Sequence, residues 1–153
     1  DPSVSGEQLA HIQHSLAVTL RKLGRLEEAE LLARKVWETR KALFPPEHYN
    51  AIYLGVTAGN LGIILARQQR FADAETFLLE GHDLCERSLW SDSARQKWGG
   101  EIEGFLIELY DTWDVAEPGC GYAEKAAQLR LKTQQNNQFA PDSGLVPAEA
   151  VEP

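Results

Sequence analysis

Apolar residues recur at helical spacing in six segments of this chain, and short polar, glycine-containing or proline-containing stretches separate the segments. In the first segment the apolar positions Leu9, Ile12, Leu16, Leu20 and Leu23 fall three or four residues apart, the spacing that one face of a helix requires. The same pattern predicts helices over about 7–23, 26–43, 47–69, 71–89, 93–113 and 122–135. The chain is therefore predicted to be all-α.

Local residue choices predict several of the helix ends. Ser5, and either Ser91 or Asp92, are placed to cap the first and fifth helices. Gly24 is expected to end the first helix, since glycine accepts a left-handed backbone. Pro45 prevents the second helix from continuing. Three glycines lie inside the third predicted helix, and close approach to a neighbouring helix is the expected reason for them.

An internal repeat organises the sequence. LAVTLRKLGRLEEAE at 16–30 aligns with LGIILARQQRFADAE at 61–75, offset by 45 residues, with two leucines, one arginine and the closing Ala-Glu unchanged. A weaker third copy follows after a further 45 residues, at Leu106, with an enlarged turn over 115–121. A fixed period of this kind is typical of stacked helical hairpins. We predict three repeats over about 7–44, 47–90 and 93–135, within a helical domain spanning 1–135.

The pattern resembles the tetratricopeptide repeat family, whose consensus is Trp-x2-Leu-Gly-x2-Tyr on one helix and Ala-x3-Phe on the next. The second copy matches best, with Ala58, Leu61, Gly62, Leu65, Ala74 and Leu78. The period exceeds the usual length of about 34 residues, so the chain is similar to the long-period variant found in kinesin light chains and in bacterial multidomain proteins. The resemblance implies an α-solenoid of three hairpins.

The resemblance also implies a binding surface, because the first helix of each hairpin in this family lines a concave groove. Spacing transfers that role to His11, His14, Val18, Arg21, Lys22, Val56, Asn60, Ile63, Arg67, Glu101, Phe105 and Glu108. Cations gather at one end of this set and carboxylates at the other, with apolar residues between them. We expect a partner segment with an apolar centre and one acidic end.

Some family members use such a groove to clamp the terminal carboxylate of a peptide. Asn60 falls where one clamp residue belongs. However, Val18 replaces a polar residue, and Glu101 and Phe105 stand where the clamp requires cations. The clamp is therefore not expected in this chain.

Residues 136–153 differ in composition from the repeats. They contain two internal prolines and little periodicity, so they are predicted to form an extended tail or linker. Phe139, Leu145 and Val146 are spaced like a docking peptide, with Asp142 and Glu149 beside them. The tail, or a neighbouring copy of the chain, is thus a candidate occupant of the groove.

Composition limits the class of partner. The formal net charge of −8 argues against nucleic acid, whose phosphates require a basic surface, and against anionic membranes. No apolar run is long enough to span a bilayer. The chain begins at Asp1 and contains no Met, so we expect a processed form or part of a longer protein. Two cysteines that are not expected to pair favour a cytoplasmic location by default, with an exported form left open.

Catalytic and metal chemistry find no support in the sequence. His11 and His14 have a spacing that can hold a metal, but no further ligand is placed beside them. Cys85 is expected to be a buried packing thiol. The four tryptophans, Trp37, Trp90, Trp98 and Trp113, are dispersed and are expected to fill spaces between helices. No catalytic, cofactor-binding or metal-binding residue is predicted, and the chain is not expected to be an enzyme.

Two functions fit these expectations. The first is a non-enzymatic interaction or scaffold module that binds a peptide or partner segment in the groove, as part of a larger signalling protein in one interpretation. The alternative is a structural subunit that self-assembles by end-to-end repeat stacking and tail docking. It is motivated by Leu9 and Ile12, which have no preceding hairpin to cover them.

Overall fold

The computed structural model describes residues 2–45 and 51–138, and these form six helices. They are α1 (Pro2–Lys22), α2 (Leu26–Leu43), α3 (Ala51–Arg67), α4 (Phe71–Arg87), α5 (Asp92–Ala116) and α6 (Tyr122–Gln138). Neither described range contains a strand. The all-α prediction is confirmed.

Helix packing follows chain order. Each helix packs on the next, and α3 also contacts α1 and α5. Such nearest-neighbour packing is the arrangement of stacked hairpins, so the predicted helical solenoid is confirmed. The centre of the stack is α3, in which 12 of 17 residues are buried.

The 45-residue repeat extends to the backbone of the turns. Arg25 N donates to Leu20 O at 3.0 Å, and Arg70 N donates to Leu65 O at 3.0 Å. Gly24 and Gln69 precede these arginines with φ of 77° and 62°, the left-handed conformation that ends many helices. Glycine adopts this conformation without strain, whereas a side chain there has a steric cost. The second turn therefore keeps the geometry of the first despite a less suitable residue.

Several predicted helix ends were wrong. α1 begins at Pro2, because proline suits the first helical position, so Ser5 lies inside the helix and is not its cap. α5 continues to Ala116, since the first helix breaker after Trp113 is Pro118. α6 likewise continues to Gln138, three residues into the predicted tail, because no glycine or proline stops it.

Of the other predicted helix ends, some agree with the structure and some lie outside the described residues. Ser91 caps α5, since Ala94 N donates to its Oγ at 3.3 Å. α2 has the predicted bounds, and α4 ends at Arg87, two residues before the predicted end. The predicted start of α3 at 47 and the tail from 139 onward lie outside the described residues.

Three glycines bring α3 and α4 into contact along their length, and we call Gly55, Gly62 and Gly81 the glycine seam. A Cβ atom on Gly55 would lie 2.7 Å from Cys85 Sγ and 2.8 Å from Gly81 O. One on Gly62 would lie 2.6 Å from Leu78 Cγ, and one on Gly81 would lie 2.8 Å from Gly55 O. No real Cβ tolerates such distances, so the predicted close approach is confirmed at Gly55 and Gly62.

The cysteines behave as the sequence predicted. Cys85 is fully buried against the seam, and burial raises the pKa of its thiol to about 12. It is therefore a thiol at neutral pH, and a thiol is a poor nucleophile. Cys120 is exposed, and both cysteines are free.

Three of the tryptophans pack between helices as expected. Trp37 meets Phe77 edge-on at 5.9 Å between ring centroids. Trp113 stacks on Tyr122 at 4.0 Å, which joins the end of α5 to the start of α6. Trp90 packs on Tyr53 at 5.4 Å. The fourth tryptophan, Trp98, has a different position, described below.

Replacing a seam glycine is expected to destabilise the fold. Gly55→Ala should lower the free energy of unfolding by about 2 kcal/mol, because its methyl group overpacks the contact with Cys85 and Gly81. Gly100→Ala is the matched control, since nothing lies within 4 Å of the added Cβ. In a helix interior that change should raise stability by up to about 1 kcal/mol. Urea denaturation measures both, and equal effects of the two changes would contradict the seam.

Candidate partner-binding groove

The first helices of the three hairpins, α1, α3 and α5, surround a cavity of about 320 Å³. Most of the residues predicted for the groove line it: His14, Val18, Arg21, Lys22, Val56, Asn60, Ile63, Glu101 and Phe105. A second cavity of about 280 Å³ shares Ile63 and Phe105 with the first and adds Arg67 and Glu108. We call the two connected cavities the groove.

The structure places His11 apart from the other candidates. It lines a separate shallow depression with Glu7, Gln8, Ile12 and Tyr53. His11 is one turn closer to the start of α1 than His14, and at that level the neighbouring surface is α3 near Tyr53 rather than α5. His11 therefore lies outside the two cavities of the groove.

Trp98 is a groove residue that the sequence interpretation missed. It lines the larger cavity with Ile102 and Gly59. Trp98 lies seven positions before Phe105 on α5, which puts the two on one face of a helix. Extending the groove register of α5 back by one further turn would have found it.

Asn60 presents an unused hydrogen-bond donor inside the groove. Its side chain is only 5% exposed, and its Oδ1 accepts a hydrogen bond from Arg21 Nε at 2.9 Å. Because arginine can only donate, this bond fixes the orientation of the amide. The buried Nδ2 has no hydrogen-bond partner among the described residues.

Beneath the groove, a buried arginine joins three helices. Arg40 of α2 is 1% exposed. It donates to Thr57 Oγ1 at 2.7 Å and Tyr53 O at 3.1 Å on α3, and to Glu7 Oε1 at 3.3 Å on α1. Removing one partner of a buried charge is costly, so this cluster holds α1 in place against α3.

His14 lies between the groove and this buried arginine. Burial lowers the pKa of His14 to about 4, with further contributions from Arg40, His11 and Arg21. The imidazole is therefore neutral at physiological pH, so it adds no charge to the groove.

The opposite wall of the groove is acidic. Glu101 and Glu108 of α5 are exposed, and neither forms an ion pair within the ranges 2–45 and 51–138. Phe105 lies between them on the same helix. The groove thus has cations along α1 and the end of α3, carboxylates along α5, and an apolar floor.

Two further properties bear on the class of site. The described residues contain no cluster of three or more side chains suited to hold a metal ion. None of the described helices has both the length and the apolarity needed to cross a membrane.

Comparison with known protein families finds a match over two segments of the chain. A family model described as tetratricopeptide repeat matches residues 9–50 and 55–93, which together make up more than half of the chain. The two matched segments correspond to the first and second hairpins. No curated protein and no solved structure matches the chain.

The buried imidazole predicts a pH-dependent stability. The pKa of His14 is 6.5 in the unfolded chain and about 4 in the folded chain. Between these pH values the unfolded chain binds a proton at His14 that the folded chain does not bind. Stability should therefore be full above pH 6.5 and fall as the pH drops to 4, by about 1–3 kcal/mol from this residue. Urea denaturation at several pH values should show a smaller loss for His14→Gln. Ser15→Ala, a non-titrating change at an exposed neighbour on α1, is the control and should keep the wild-type dependence; an unchanged dependence in His14→Gln would contradict the assignment.

Proposed function

The chain belongs to the tetratricopeptide repeat family, and we propose that it is a non-enzymatic interaction module that holds a segment of a partner protein in its groove. Repeats of this family generally mediate protein–protein interaction or scaffolding. We place the interaction in the groove and infer that the partner contributes an extended or helical segment. The buried amide of Asn60 is the observation that supports it most directly.

A peptide supplies what the Asn60 amide lacks. A buried donor without an acceptor costs about 1–3 kcal/mol, and a backbone carbonyl of a bound segment is a suitable acceptor. The surrounding side chains of Val18, Ile63 and Phe105 are apolar and partly exposed. An apolar side chain of the same segment would cover them while its backbone reaches Asn60.

The shape of the groove favours a segment over a compact small molecule. Its two cavities are open and share only Ile63 and Phe105. An extended or helical segment can place successive side chains in both. A compact ligand would fill one cavity and leave the other unused.

Removing the Asn60 amide is expected to weaken binding. A library of random short peptides selected on the immobilised full chain would provide a labelled peptide, whose affinity fluorescence anisotropy measures. Asn60→Ala should reduce that affinity about five- to ten-fold, the effect of losing one hydrogen bond. Asn136→Ala, an exposed asparagine on α6, is the matched control and should bind like wild type. Equal affinities for both variants would place the binding surface elsewhere.

The alternative function, self-assembly, is favoured by one surface of α1. Leu9, Ile12 and Leu16 are 53%, 64% and 50% exposed, and their spacing puts them on one face of the helix. An uncovered apolar face at the end of a solenoid is a surface on which another hairpin can stack.

Light scattering across a range of concentrations tests self-assembly. If this face mediates stacking, the mean mass of the wild-type chain should rise with concentration, and Ile12→Glu should restore a monomer. Lys22→Glu changes the charge of the same helix without altering the apolar face, and is the control. A wild-type chain that is monomeric at every concentration would reject the alternative.

A further inference from the structure

A row of apolar side chains along α1 lies open to solvent. Leu9, Ile12 and Leu16 each have half or more of their surface exposed, and so does Leu23, directly after the helix. Together with Thr19 these residues follow one another at alternating intervals of three and four. That is the heptad spacing along which one helix packs against another. We call these five residues the α1 stripe.

The equivalent positions of the second hairpin are buried under a neighbouring helix. Leu54, Thr57 and Leu61 of α3 lie 45 residues after the first three residues of the α1 stripe, and all three are buried. They meet α2 of the preceding hairpin, since Leu54 shares a buried cluster with Trp37, and Arg40 donates to Thr57 Oγ1 at 2.7 Å. This face of a first helix is therefore one that a further helix covers in this fold.

The other end of the stack is a poor match for the α1 stripe. α6 corresponds to α2, with Ala126 in the place of Ala29. Eight residues further on, α2 has Trp37, whereas α6 has the exposed Gln134. Leu131 is the single large exposed apolar side chain of α6 between residues 122 and 136. A head-to-tail stack would cover the stripe mainly with polar side chains, so the stripe of a second copy is the better partner.

The charge of α1 also favours a second copy at this face. Copies of a chain with net charge −8 repel one another at long range. However, the only carboxylate of α1 between residues 6 and 22 is Glu7, which pairs with Arg40. The positions that flank one side of the stripe are occupied by Gln8, Ser15 and Lys22. Two copies can therefore meet here without opposing carboxylates.

We propose that two copies of the chain pair through their α1 stripes, with the two helices antiparallel about a two-fold axis. The inference rests on the self-assembly alternative and replaces its end-to-end stacking by a closed dimer, because a two-fold contact uses the same surface on both copies. Ile12 of each copy lies on Leu16 of the other in this arrangement, and Leu9 lies on Thr19. Ser15 is beside the axis and faces its own counterpart. Antiparallel helices also place opposite ends of their dipoles side by side.

The dimer leaves both grooves open. His14, Val18 and Arg21, the groove residues of α1 nearest the axis, lie on a different face of the helix from the stripe. A partner protein with two binding segments can then occupy both grooves and bind with avidity. A contact made by one helix pair is smaller than the standard interface of about 1,600 Å², so we expect a dissociation constant in the micromolar range.

Sedimentation equilibrium on the full chain tests the closed dimer. From micromolar to millimolar concentration, the wild-type data should fit a monomer–dimer equilibrium with no species above twice the 17.1 kDa of the chain. Ile12→Glu should raise the dissociation constant at least about ten-fold, because the dimer would bury two unpaired carboxylates. Leu31→Glu introduces the same charge at an exposed leucine of α2 and should leave the constant unchanged.

Single cysteines test the antiparallel register. In a Cys120→Ser background, where the remaining Cys85 is buried, Ser15→Cys should cross-link to its own copy through a short bismaleimide. Gln8→Cys and Lys22→Cys should each fail alone, since each would lie about 20 Å from its own counterpart, but a mixture of the two should cross-link. The exposed Cys120 of the wild-type chain is the control for random collisions and should give no cross-linked dimer.

The outcomes separate the dimer from self-assembly in general. Masses that keep rising beyond the dimer would overturn the closed pair and leave end-to-end stacking standing. Cross-linking of Gln8→Cys to its own copy, as in a parallel pair, would overturn the antiparallel arrangement. A chain that is monomeric at every concentration would overturn both the dimer and the self-assembly alternative, and would leave the α1 stripe to a different protein. Peptide binding in the groove is independent of all three results.

Discussion

The contact between α3 and α4 at the glycine seam is the constraint on which the remaining structure depends. Because no Cβ fits at Gly55 or Gly62, the two helices approach more closely than side chains otherwise allow. Arg40 then fixes α2 and α1 to the opposite side of α3. Among the residues of α3 that stay partly or fully exposed, Val56, Ile63 and Arg67 line the groove. The proposed binding surface is thus a face of α3 that helix packing leaves uncovered.

Ion pairing between side chains also differs between the repeat turns and the groove. Glu30 reaches Arg70 of the next hairpin at 2.9 Å, and Glu75 reaches Lys125 at 2.8 Å. These pairs connect successive repeats at their turns and neutralise the cations there. Pairs of this kind are individually weak where they are exposed, so their main effect here is on charge distribution. Arg21 and Arg67, the two arginines without such a pair among the described residues, line the groove.

Sequence reasoning could predict what local residues and spacing determine. The bounds of α2 follow from Gly24 and Pro45, and most groove residues follow from the repeat register. Prediction from the sequence failed where the neighbouring residues do not determine the structure. The end of α6 has no breaker to mark it, and nothing in a glutamine indicates the left-handed turn at Gln69. Trp98 was within reach, since the groove register of α5 extended by one turn includes it, whereas the isolation of Arg21 from carboxylates is a property of the folded arrangement alone.

Residue-resolved amide hydrogen exchange on the full chain tests most directly whether α3 is the fixed centre of the stack. If the seam holds it as described, the amides from Gly55 to Leu65 should exchange only through global unfolding and should be the slowest in the molecule, whereas those of the terminal helix α6 should exchange through local opening. Exchange of the α3 amides at the rates of α6 would contradict the account, because a helix that opens on its own cannot hold the groove in a defined shape.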